Sequence, residues 1–199
     1  CDYMVELEFF KSMPEGIRKD AWFLTKVTMT GQERNPETGR YPLLNWDDPA
    51  TNQKHPYWKK NIESSDWVFN YDDGYYETKG ISSASGKTRM IFRYADILLL
   101  YAEAVAYGTK SIDDLAFDCM WRVQERAGVP LISKDVTKEY FQKAVLDERR
   151  WETAGMEHSC MGRFFTMQRH EILHLQKNYR DAAELSLNPN LTLSEEFYY

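Results

Sequence analysis

The run Arg93 to Tyr107 (RYADILLLYAEAVAY) restricts the fold more than any other stretch of the chain. Tyr94, Ile97, Leu98, Tyr101 and Val105 share one helical face, and Ala95, Leu99, Ala102 and Ala106 fill most of the rest. A helix apolar nearly all round is buried between neighbours, so this one is predicted to lie at the centre of a helical layer. Gly108 ends it. Ser111 with Asp114 makes a capping-box-like start for a second helix, which runs to about Ala127 with Leu115, Ala116, Cys119, Met120 and Val123 on one face. Gly128 and Pro130 stop it. Two helices joined by about four residues should lie antiparallel, an αα-hairpin the size of one tetratricopeptide unit. Such a hairpin cannot enclose its own core and needs partner helices. A third helix is expected from a cap near Thr137 to about Ala154, with Phe141, Ala144 and Val145 inward, and a fourth from about Arg163 to Tyr179.

The chain before this point reads differently. Trp22 to Met29 (WFLTKVTM) is β-prone, ends near Gly31, and is followed by the turn signals Asn35-Pro36 and Thr38-Gly39, which suits one hairpin or a long loop. Pro42, Pro49 and Pro56 forbid long regular elements from Tyr41 to Tyr57. Tyr75 to Ile81, after the Asp73-Gly74 turn, is a possible strand, and Ser82 to Thr88 a polar loop. That loop carries Gly86-Lys87-Thr88, but a phosphate-cradling loop needs its first glycine at position 81, where Ile81 stands. The expected fold is therefore mainly α, with tetratricopeptide-like helical packing and a turn-rich, small-strand segment. Residues 1–88 form the turn-rich aromatic part and 89–199 the helical part.

Composition removes several function classes. The chain has 199 residues with 25 Lys+Arg against 31 Asp+Glu, a net charge of −6, which lacks the basic stripe a nucleic-acid binder needs. With 43% apolar and 15% aromatic residues it is too rich in core-forming side chains to be disordered. The best apolar run, Ile97 to Tyr107, is broken by Glu103 and falls short of the roughly 20 residues of a membrane span. Cys1, Cys119 and Cys160 are widely spaced, with no CxxC, and supply neither a disulfide framework nor a thiolate metal site.

Two constellations invite a chemical reading. Within the segment from Asn45 to Tyr76, Trp46, Tyr57, Trp58, Trp67, Tyr71, Tyr75 and Tyr76 alternate with Asn45, Asp47, Asn52, Asn61, Asn70 and Asp72. A sugar presents a flat C–H face and a rim of hydroxyls, and an aromatic platform flanked by amides or carboxylates suits both. Trp46, Trp58, Trp67 and Tyr75 are the leading platforms, with Tyr57, Tyr71, Asn45 and Asp72 beside them. About half of these rings are expected in the core, since turn-rich segments also need large side chains to pack. The second constellation is His170-Glu171-Ile172-Leu173-His174, a literal HExxH. Two histidines one turn apart bind zinc and the glutamate activates water, with Glu184, Glu195 or Glu196 available as a third ligand. A surface helix with two histidines is the reading adopted, with a zinc hydrolase as the alternative; no metal or other cofactor is expected. Asp47-Asp48, Asp72-Asp73 and Asp113-Asp114 suit turns and caps better than calcium. Glu148, Arg149 and Arg150 suit a helical ion-pair network better than an acid with an anion clamp.

The motifs also carry a resemblance. Phe92-Arg93-Tyr94-Ala95-Asp96-Ile97-Leu98-Leu99-Leu100-Tyr101-Ala102-Glu103-Ala104 resembles the "RYADxLLxYAEA" helix of the SusD/RagB family. Val123 to Pro130 (VQERAGVP) is similar to that family's "VRxRAGLP", Glu148-Arg149-Arg150-Trp151-Glu152 to its "ERRxEL", and Asn188-Pro189-Asn190-Leu191-Thr192 to its "NPNLT". Pro14-Glu15-Gly16 with Arg18-Lys19-Asp20-Ala21 is similar to its "DxRRDAT". The pattern departs after Glu152, where Met156 to Phe165 replaces the family's "EG-x-R-W/Y-x-D-L-x-R". The resemblance implies a surface-exposed, nutrient-binding outer-membrane lipoprotein of Bacteroidetes. Such a protein captures a glycan or oligosaccharide, delivers it to a TonB-dependent transporter of the SusC type, and catalyses nothing. It also implies that this chain is the C-terminal part of a longer protein that meets the membrane only through a lipid anchor. The residues after Cys1, Asp2 to Phe10 (DYMVELEFF), read as structured and not as a polar tether, so Cys1 is expected to be an internal start, with a lipidated mature terminus the alternative.

Overall fold

Small side chains along one stripe of a helix decide how the helical part assembles. The computed structural model describes residues 5–28, 33–51, 55–59, 67–70, 75–78, 92–154 and 170. Its elements run α1 (Leu7–Ser12), α2 (Ile17–Trp22), β1 (Phe23–Leu24), β2 (Lys26–Thr28), β3 (Leu43–Asn45), β4 (Tyr57–Trp58), β5 (Trp67–Asn70), β6 (Tyr75–Thr78), α3 (Tyr94–Tyr107), α4 (Asp114–Ala127) and α5 (Lys138–Thr153). The architecture is mainly α with short strands, as expected. Two compact units divide the described residues: 5–12 with 20–78, and 13–19 with 92–154 and 170.

In the helical unit, α4 and α5 both pack on α3. The buried stripe of α3 is Ala95, Leu99, Ala102 and Ala106, joined by Ala116, Cys119, Met120 and Val123 of α4 and Phe141 and Val145 of α5. Alanines let neighbouring helices approach closely, and larger rings such as Phe117 and Phe141, 4.8 Å apart edge to face, fill the space between them. The expectation that this helix is buried nearly all round is therefore corrected. Leu98 and Val105 are half-buried, while Tyr94, Ile97 and Tyr101 are exposed, at 67%, 53% and 37%. The close approach available over the alanines, not the bulk of the large side chains, selected the core face.

The helix ends follow their local chemistry. Arg93 caps α3: its N–H donates to Asp96 Oδ2 at 3.0 Å and its guanidinium holds the same carboxylate. The start of α4 is corrected from Ser111 to Asp113, whose carboxylate accepts from Ala116 N at 2.8 Å and from Tyr101 Oη at 2.9 Å. An anion suits the positive end of a helix better than a neutral hydroxyl does. Gly128 closes α4 in the left-handed conformation, φ 70 and ψ 32. Thr137 caps α5 as expected, accepting from Tyr140 N at 3.2 Å. Residues at the start of α5 also satisfy the end of α3: Lys138 Nζ donates to Gly108 O and Gln142 Nε2 to Ala106 O. The expected fourth helix and the 82–88 loop lie outside the described residues.

In the other unit the anticipated Trp22–Met29 strand is split. Trp22 ends α2, and the remaining run breaks at Thr25 into β1, antiparallel to β4, and β2, antiparallel to β3. Thr25 itself accepts from Trp46 N at 2.8 Å, which marks the change of partner. The β2–β3 pair confirms the hairpin alternative, with its connection running through the Asn35 turn. β6 falls where a strand was expected and pairs with β5, which was not foreseen.

One glycine is sterically required. Gly16 has φ 154, and a Cβ there would stand 2.8 Å from the carbonyl oxygens of both Ala127 and Gly128 at the end of α4. Gly16→Ala should destabilise the protein by more than about 1 kcal/mol, because rigid backbone blocks the added methyl. Thermal and denaturant unfolding of the variant check this; an unchanged midpoint would refute the close approach.

Candidate functional site

Glu148 and Glu152 lie one turn apart on α5 and are both almost fully buried, where a bare carboxylate is costly. Three other elements supply cations. Arg18 of α2 reaches Glu148 and, at 3.2 Å, Glu152 Oε2. Arg93 Nη1 donates to Glu152 Oε1 at 2.8 Å and Arg93 Nη2 to the Glu152 carbonyl at 3.0 Å, while Arg126 of α4 binds the same Oε1. Gln124 steadies the group, its Nε2 on Glu148 and its Oε1 accepting from Ile132 N at 2.9 Å. Burial pushes the Glu148 carboxyl above the ordinary carboxylate range, against the pull of Arg18 and Gln124. The expected ion-pair network is present, but it runs between elements. Along α5 Arg150 pairs with Asp147 at 3.4 Å and Lys143 with the same carboxylate at 2.7 Å, whereas Arg149 reaches Glu103 on α3. The residues are consumed in holding helices together and form a structural clamp.

His170 is bound into a second cluster. Its Nε2 lies 2.7 Å from Glu103 Oε1, and its ring stacks on Tyr107 with centroids 3.8 Å apart. Burial and the Glu103 charge raise the Tyr107 phenol. Glu171 and His174 lie outside the described residues, so the zinc alternative rests on His170 alone here, and that nitrogen is engaged by a carboxylate.

The expected sugar platforms fall in the other unit. Its centre is an aromatic cluster: Phe10 and Phe23 meet edge to face at 5.1 Å, Trp58 leans on Phe23 at 5.1 Å, and Trp46 meets Phe10 edge-on at 5.8 Å. Trp46, Trp58 and Tyr57 are each half-buried, so they both pack and face outward; burial raises the Tyr57 phenol. Asn45 is exposed at the end of β3. Trp67 pairs with Thr78 and Tyr75 with Asn70, at opposite ends of the β5–β6 ladder and about 10 Å apart along it. Tyr71 and Asp72 lie outside the described residues. Sequence reasoning passed over the hairpin tip, where Arg34, Arg40 and Tyr41 line a cavity of about 530 Å³. Its signal is Arg34, Arg40 and Tyr41 flanking the Asn35-Pro36 and Thr38-Gly39 turn signals, which alone were read there.

A family model described as the SusD family matches residues 13–199. No curated protein and no solved structure matches the chain.

The clamp makes two measurable demands. Arg18→Ala takes from buried Glu148 the cation that faces it, while Glu152 keeps Arg93 and Arg126, and should cost about 3–5 kcal/mol in denaturant titration. The raised Glu148 group means that the folded state holds its proton more tightly than the unfolded chain does. Its contribution is complete in acid and is lost as pH rises through the raised value. Glu148→Gln should therefore gain on the wild type in unfolding free energy between about pH 4 and pH 7. A difference that stays constant over that range would contradict the assignment.

Proposed function

We propose that this chain, which belongs to the SusD family, captures a glycan or oligosaccharide through loops of its strand-bearing unit and passes it to a TonB-dependent transporter of the SusC type. A general role in glycan binding for nutrient uptake goes with the family, whose members are binding proteins rather than enzymes and are generally associated with the outer membrane. No helix among the described residues is long and apolar enough to cross a membrane; the family reading supplies a lipid anchor on the full-length protein as the attachment. The observation that carries the reading is the family match over residues 13–199.

The geometry supports the assignment of binding to one unit. In the helical unit the charged motif residues are taken up in the clamp, which leaves them poor candidates for ligand contact. In the other unit Trp46, Tyr57 and Trp58 are half-buried on short strands and turns, the setting in which a ring offers one surface to a ligand. Trp46, Trp58, Trp67 and Tyr75 are the platforms, with Tyr57, Tyr71, Asn45 and Asp72 as neighbours that bind hydroxyls. Support for a protein partner comes from the exposed arc of α3. Tyr94, Ile97 and Leu100 stand in solvent there, a concentration of apolar surface typical of interaction sites.

The experiment is an alanine scan of the platforms, read by thermal melting and by binding to a polysaccharide panel. Trp67→Ala and Tyr75→Ala should weaken binding at least about tenfold with little change in melting temperature. Trp46→Ala and Trp58→Ala should lower both, since each also leaves a gap in the aromatic cluster. Binding that survives all four substitutions would overturn the assignment.

A further inference from the structure

We draw no further inference here: the strongest candidate, the exposed apolar arc of α3 built from Tyr94, Ile97, Leu100 and Tyr101, is a bare helix face, and nothing among the described residues shows what covers it.

Discussion

Everything in the helical unit depends on two carboxylates that have no business being buried unless they are paired. Glu148 and Glu152 are almost fully enclosed on α5, and their counter-charges come from α2, from the cap of α3 and from the last turn of α4. No helix can shift without exposing or stranding a charge. A buried ion network of this kind contributes less to net stability than its contacts suggest, because desolvation offsets most of the attraction. Its contacts tie α2, the cap of α3, α4 and α5 to one pair of carboxylates. The alanine stripe of α3 then sets how closely the helices approach.

This explains where the family resemblance resides. Arg18, Arg93, Asp96, Gln124, Arg126, Glu148 and Glu152 all belong to the motifs through which the chain resembles SusD-like proteins, and all lie in the clamp or its cap. Gly16 and Gly128, from the same motifs, make the close contact between the segment before α2 and the end of α4. The signature therefore describes a scaffold. It identifies the family and is silent on the ligand, whose contacts we propose on the strand-bearing unit.

How far each part was legible in the sequence follows from the range of the interactions. Helix ends were readable because caps are local: Thr137, Gly108 and Gly128 act within a turn of themselves. Ser111 misled because Asp113, two residues on, offers the stronger charge-assisted cap. The buried face of α3 was not readable, since hydrophobicity is nearly uniform around it and the choice lay with the partners' approach to Ala95, Ala102 and Ala106. The split at Thr25 was hidden for a similar reason: β1 and β2 take different partners far along the chain. For the candidate site, the density of Trp and Tyr was plain in the sequence, while the pairing of Trp46 with Phe10 and of Trp58 with Phe9 and Phe23 depends on tertiary contacts. The Arg34–Tyr41 stack at the hairpin tip was within reach of sequence reasoning, being local, yet turn residues drew all the attention there.

The central claim is a division of labour, with the clamped helices as scaffold and the strand-bearing unit as the binding surface. Amide hydrogen exchange of the full-length protein, with and without a saturating oligosaccharide chosen from a binding panel, tests it most directly. The account predicts added protection in peptides covering residues 33–51 and 57–78, with α3, α4 and α5 unchanged. Protection confined to α3, α4 and α5, with the 33–78 peptides indifferent to the sugar, would contradict it.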